Sequence, residues 1–306
     1  MPLAPEIEAF LAASAAADLP QVWEAPLEII RRNTASRLAL AGAVEPLAQL
    51  QNRFIPGPTA DLPIRIYRPT LRANQSVIIY FHGGGWVLNF LDIYDASLSR
   101  LANQSGVTVI SVNYQKAPEH PFPTPFDDCY ATLLWVANNA EVLSINRNRI
   151  FVAGDSAGAN LAAAVAIKAR DNEITLAGQL LIYPCVDRDF TTDSYKKLAT
   201  GYGLSTTAMK WFWEQYLQGD AHDANPYAVP MSAHSFSKLA PAVIITAEFD
   251  PLLSDSEKYA AALSSADVPV YYQKFDGMIH GFFTNMAITP VATLAIDWLA
   301  EKLLDL

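Results

Sequence analysis

The stretch Arg149-Ile150-Phe151-Val152-Ala153-Gly154-Asp155-Ser156-Ala157-Gly158-Ala159-Asn160 decides the fold. Its first half is a short apolar run with the character of a buried strand. Its second half leads into Asn160 to Arg170 (NLAAAVAIKAR), a segment of good helix formers. A strand that feeds a helix at once must turn sharply, and Gly154 and Gly158 permit a turn that a Cβ would block. Ser156 then stands at the apex of the corner, clear of the strand, where a reacting molecule can reach its hydroxyl.

Working outward toward the N-terminus, the next informative segment is His82-Gly83-Gly84-Gly85-Trp86, directly after the apolar run Val77-Ile78-Ile79-Tyr80-Phe81. Three successive glycines bare their backbone N–H groups, as an oxyanion hole requires. A phosphate cradle would instead need a following Lys-Ser/Thr, or a G-x-G-x-x-G opening a helix with an acidic residue about 20 positions on. Neither is present.

Toward the C-terminus, a serine hydroxyl needs a base. Of the five histidines, His82, His120, His222, His234 and His280, the last follows the apolar strand Val270 to Phe275 through a short loop, Asp276 to Ile279. That places it on the rim where Ser156 sits. The acid that orients such a base is expected at Asp250, immediately after strand Val243 to Thr246. Asp255 competes, but it falls inside a helix candidate and should point away from the rim. Asp276 shares the loop of His280 and reads as a turn residue, and Asp155 reads as a structural carboxylate holding backbone donors. The order Ser156, Asp250, His280 is the one an α/β-hydrolase uses. The combination points to acyl transfer through a serine nucleophile.

Elsewhere apolar strands alternate with helices. Strands start from Leu62, at 77–81, 107–112, 149–153, 179–183, 243–246 and 270–275; helices lie at 126–139, 160–170, 254–264 and 290–303. That alternation predicts a mostly parallel sheet covered on both faces. Residues 1–50 read as amphipathic helix. Residues 185–238 interrupt the alternation and hold one aromatic helix, Thr206 to Leu217 (TTAMKWFWEQYL). The expected organisation is therefore an N-terminal cap segment over 1–50, a catalytic domain over 51–184 and 239–306, and a cap insertion over 185–238.

Composition narrows the function classes. In 306 residues, half of them hydrophobic, the net charge of −10 and the lack of any long basic cluster argue against nucleic-acid partners. Cys129 and Cys185 lie in no C-x-x-C or His-rich context, so neither a metal nor another cofactor is expected. The N-terminal Ala12–Ala17 run lacks a cationic leader and is flanked by acids, and no apolar stretch reaches membrane-span length. The expectation is a cytoplasmic protein that acts on a small molecule, away from membranes.

The chain resembles the hormone-sensitive-lipase group of α/β-hydrolases (bacterial family IV esterases), and within it the bacterial acetyl esterases. The resemblance rests on His82 to Val87, Ala117-Pro118-Glu119-His120-Pro121-Phe122-Pro123, Gly154 to Asn160, Asp250-Pro251-Leu252 and His280-Gly281-Phe282. It implies Ser156 as nucleophile with Asp250 and His280, an oxyanion hole from the N–H groups of Gly83, Gly84 and Ala157, a helical cap, and hydrolysis of short-chain acyl esters from acetyl to butyryl. The bulky Trp86, Phe90, Tyr114 and Trp211 are expected around the substrate pocket. Three departures stand out: Gln115-Lys116 replaces the usual Arg-Leu, Ala159 stands where glycine is common, and Ser254 holds a position often acidic. The same apparatus serves amidases and lactonases, and the same architecture serves binding proteins that have lost the histidine; His280 argues against the latter.

Overall fold

The computed structural model describes residues 2–306. Eight strands form one sheet: β1 (Gln49–Pro56), β2 (Asp61–Arg68), β3 (Gln75–Phe81), β4 (Thr108–Val112), β5 (Ile145–Asp155), β6 (Gly178–Ile182), β7 (Ala242–Phe249) and β8 (Val270–Ile279). The helices are α1 (Pro5–Ala16), α2 (Leu27–Asn33), α3 (Leu38–Ala41), α4 (Asp95–Ser105), α5 (Thr124–Asn138), α6 (Ala157–Asp171), α7 (Asp193–Lys197), α8 (Thr206–Leu217), α9 (Leu253–Ser265) and α10 (Pro290–Leu304).

The strand order is β1-β2-β4-β3-β5-β6-β7-β8. The β1–β2 and β2–β4 pairs are antiparallel, and every pair from β4 to β8 is parallel. A mostly parallel sheet covered by helices on both faces, with β1 and β2 antiparallel at one edge, is an α/β-hydrolase fold. The period-2 pleat sends Val77, Ile79, Phe81, Ile150 and Val152 into one core, where α5, α6 and α9 pack. It sends Ile78, Tyr80, Phe151 and Ala153 into the other, against α4 and α10. Burial on both faces is why these strands read as unbroken apolar runs.

Three elements differ from the sequence reading. β1 begins at Gln49, inside the segment read as helical, and α4 had not been distinguished. β8 continues through 276–279, so His280 follows a strand rather than a loop. Gly277 makes that extension possible: with φ of 73° it turns at the register shift between Ala247 and Phe249, and its N–H donates to Glu248 Oε2 at 2.7 Å.

Candidate active site

Ser156 joins β5 to α6 with φ 55° and ψ −122°, a left-handed backbone that costs a non-glycine residue about 1–3 kcal/mol. The surroundings hold it there. Its N–H donates to Ile182 O at 2.8 Å, and its carbonyl accepts from Asn160 N at 3.1 Å. The glycine at 158 answers a close approach: a Cβ there would stand 2.0 Å from Phe81 O, so only glycine lets α6 start against the end of β3.

The ends of two further strands bring in the partners. Asp250 follows β7 and His280 follows β8. His280 Nε2 lies 2.9 Å from Ser156 Oγ, and His280 Nδ1 lies 2.7 Å from Asp250 Oδ2. A carboxylate facing Nδ1 fixes that nitrogen as the N–H donor, which leaves Nε2 as the acceptor facing the hydroxyl. Asp250 is fully buried, and its other oxygen accepts from Leu252 N at 2.8 Å. The His280 ring packs on Tyr183 with centroids 4.6 Å apart. Asp255 does not approach His280. It is buried in α9, where it accepts from Asp187 N at 3.3 Å, and burial pushes its carboxyl well above the usual range.

Asp155 does hold backbone, as read from the sequence, and in doing so it corrects the expected oxyanion donors. Its Oδ1 accepts from Gly83 N at 2.8 Å and Tyr80 Oη at 2.9 Å, and its Oδ2 accepts from Tyr94 Oη at 3.1 Å. Burial raises the Asp155 carboxyl above its ordinary value, against the pull of these donors. The Gly83 N–H is thus occupied. Gly84 and Gly85 line the cavity instead, and among the described residues neither amide donates to another backbone group. Ala157 opens α6, so its N–H lacks an intrahelical partner and carries the positive end of the helix. Gly84, Gly85 and Ala157 are the available donors.

The loop carrying those donors is held by α8 and α2. A Cβ on Gly85 would stand 2.1 Å from Phe212 Cδ1, so α8 lies directly on it. Arg31 of α2 donates to Val87 O at 3.0 Å and Ala117 O at 2.9 Å, and pairs with Glu119 at 2.7 Å.

The cavity at Ser156 measures about 90 Å³ and is walled by Leu88, Leu204, Met209 and Phe212. None of the four aromatics expected there lines it. Trp86 is fully buried, stacked on Tyr216 at 4.3 Å and tilted against Trp213 at 4.5 Å. Tyr114 lies behind the glycine loop, donating to His82 O at 2.7 Å with its ring stacked on the His82 imidazole at 4.5 Å. Tyr114 and Phe90 line a separate cavity of about 530 Å³. Trp211 points about 100° away from Phe212 around α8 and lines neither. The residues that were missed, Met209 and Phe212, are an i, i+3 pair on one helix face, so the spacing in TTAMKWFWEQYL carried the signal.

The Gln115-Lys116 departure has a visible consequence. Gln115 bonds the buried Asp128 through its backbone N–H at 2.8 Å. Lys116 Nζ donates to Asn113 Oδ1 at 2.6 Å and has no carboxylate partner among the described residues. Burial, and behind it the charge of Arg31, pulls the Lys116 ammonium down from 10.5 to about 8. Between those values the unfolded chain binds more protons than the folded one, so the lysine destabilises the protein below pH 8 and the penalty fades as pH rises toward 10.5. Lys116→Leu should therefore stabilise the fold by about 1–2 kcal/mol at pH 7, with the gain shrinking across that window. Urea denaturation at pH 7 and pH 10 measures both; an equal gain at the two values would contradict the assignment.

A family model described as the alpha/beta hydrolase fold matches residues 78–284, and the chain belongs to that family, in its hormone-sensitive-lipase-like esterase group. The arylesterase of Saccharolobus solfataricus is 33% identical over 304 residues, covering 99% of each chain. The ethyl acetate hydrolase of Pseudomonas putida is 34% identical over 79% of this chain and 78% of its own. Among solved structures, the hyperthermophilic esterase of Pyrobaculum calidifontis superposes with a TM-score of 0.94 at 35% identity, covering 99% of this chain and 98% of that one.

Proposed function

We propose that the protein hydrolyses short-chain carboxylic esters, acetyl to butyryl, through an acyl-enzyme on Ser156. His280 Nε2 takes the hydroxyl proton as Oγ attacks the ester carbonyl, and Asp250 stabilises the resulting imidazolium. The negative charge that develops on the carbonyl oxygen faces the N–H groups of Gly84, Gly85 and Ala157. His280 returns the proton to the departing alkoxide, and the alcohol leaves. Water, deprotonated by the same imidazole, then attacks the acyl-enzyme and releases the carboxylic acid with Ser156 restored. Carboxylic ester hydrolysis is the activity in the names of the relatives above.

The observation that carries the chain-length reading is the size of the cavity, about 90 Å³ closed by Phe212. Both proposed cap segments contribute to its wall: Arg37 from residues 1–50, and Leu204, Met209 and Phe212 from residues 185–238. On a p-nitrophenyl ester series from acetate to palmitate, kcat/KM should peak between acetate and butyrate and fall steeply beyond. A p-nitroanilide run alongside separates esterase from amidase. Phe212→Ala should raise the octanoate-to-acetate ratio of kcat/KM by about tenfold or more, since each methylene admitted to an apolar pocket is worth roughly that factor. Equal turnover of octanoate and acetate by the unaltered enzyme would refute the short pocket.

A further inference from the structure

One charged side chain in the wall of the Ser156 cavity has no part in the mechanism above. Arg37 ends the helical turn Thr34–Arg37 of the N-terminal segment, is partly buried, and lines the cavity beside His280 and Gly281. Among the described residues it makes no ion pair and no hydrogen bond. The partly buried Arg31, Arg65, Arg100 and Arg188 all pair with carboxylates. The nearest candidates for pairing inside the site are spoken for. Asp155 is occupied by Gly83, Tyr80 and Tyr94, and Asp250 by His280 and Leu252. Tyr94 and Tyr183, whose phenols feel the Arg37 charge, are buried and held neutral, their pKa values pushed well up. A protein of net charge −10 thus leaves a guanidinium unneutralised inside its reaction cavity.

Its position tells which part of a substrate it meets. The leaving oxygen must lie within hydrogen-bond reach of His280 Nε2 to receive its proton. Arg37 Nη2 stands 3.3 Å from where a Cβ on Gly281 would be, beside the residue that follows His280. Phe212 lies over Gly85, on the oxyanion side, so the apolar wall serves the acyl group. We propose that Arg37 selects esters whose alcohol part carries a carboxylate: short-chain acyl esters of small hydroxy acids. The planar fork of a guanidinium matches a carboxylate with two parallel hydrogen bonds, and the small cavity limits its competition with water. This rests on the ester-hydrolase reading of the same site.

The test compares acetoxyacetate with its neutral counterpart acetoxyacetamide, with acetate release as the readout. Arg37→Gln should lower the anion-to-amide ratio of kcat/KM by at least about tenfold, the worth of a charge-assisted pair. Arg37→Lys should keep most of that ratio, and added salt should shrink it in the unaltered enzyme. An unchanged ratio in Arg37→Gln, or an equal loss on both esters, would overturn the proposal. Should that variant fail to fold, a ratio in the unaltered enzyme that is indifferent to added salt overturns it as well. p-Nitrophenyl acetate separates the two readings: no hydrolysis by the unaltered enzyme removes the esterase reading and this inference with it. Hydrolysis with an unmoved ratio removes the role of Arg37 alone.

Discussion

Ser156→Ala is expected to lower kcat for p-nitrophenyl acetate by on the order of 10⁴-fold or more while the protein stays folded. The substitution deletes one atom, the Oγ that stands 2.9 Å from His280 Nε2, and no structural bond depends on that atom. The N–H of residue 156 still reaches Ile182 O, and the oxyanion donors Gly84, Gly85 and Ala157 keep their places. Residual turnover then reflects those donors and substrate positioning, without a nucleophile. Alanine inherits the same left-handed backbone, so no strain is relieved in a way that would disguise the result. Circular dichroism and thermal melting establish folding. A folded variant that keeps a tenth of the activity would sink the assignment of Ser156 as nucleophile.

The sheet was legible where both faces of a strand are buried. Val77 to Phe81 and Ile150 to Ala153 fill two cores at once, so they appear as apolar runs. β1 sends no such signal. It is an antiparallel edge strand with Leu50 and Phe54 exposed, and what makes it a strand is its pairing with β2. Helix α4 was hidden for a related reason. It buries only two large apolar residues, Leu98 and Leu101, among the small and polar Ala96, Ser97, Ser99, Ala102 and Ser105, and Ser97 Oγ donates to Phe283 O at 3.1 Å, a partner far along the chain. Composition alone does not separate such a helix from a polar loop.

The same division runs through the site. Ser156 and Asp250 each follow a strand whose apolar run marks it, whereas His280 follows β8, whose Gln273 and Lys274 are exposed, so its choice leaned on the other motifs. Which two of three consecutive glycine amides face the cavity is decided by Asp155, which takes the Gly83 N–H from across the sheet. Nothing within His82 to Trp86 encodes that choice. The aromatic residues illustrate the converse error, in which size was taken for position. Trp86 follows the glycines directly, yet Trp213 and Tyr216 draw it away from the cavity into the seam under α8. In α8 a 3.6-residue period places Met209 with Phe212 and turns Trp211 aside.

Asp250→Asn is expected to cut kcat by about 10⁴-fold, through a mismatch of donors rather than a loss of shape. The native carboxylate accepts two hydrogen bonds, from His280 Nδ1 at 2.7 Å and from Leu252 N at 2.8 Å. Asparagine has one acceptor oxygen, and either orientation of its amide fails. With the oxygen toward Leu252, the NH₂ meets Nδ1 and forces the imidazole proton onto Nε2, where it opposes the Ser156 hydroxyl. With the oxygen toward His280, the NH₂ confronts the Leu252 N–H in a fully buried place, and an unsatisfied buried donor costs about 1–3 kcal/mol. The first orientation costs the fold less, so the variant should fold and be inactive. It also lacks the negative charge that stabilises the imidazolium formed in the transition state. Asp255→Asn is the matched control, since that carboxyl sits in α9 without contact to His280 and burial favours its neutral form. If Asp255→Asn abolished turnover in a folded protein while Asp250→Asn retained it, the acid of the site would have to be reassigned.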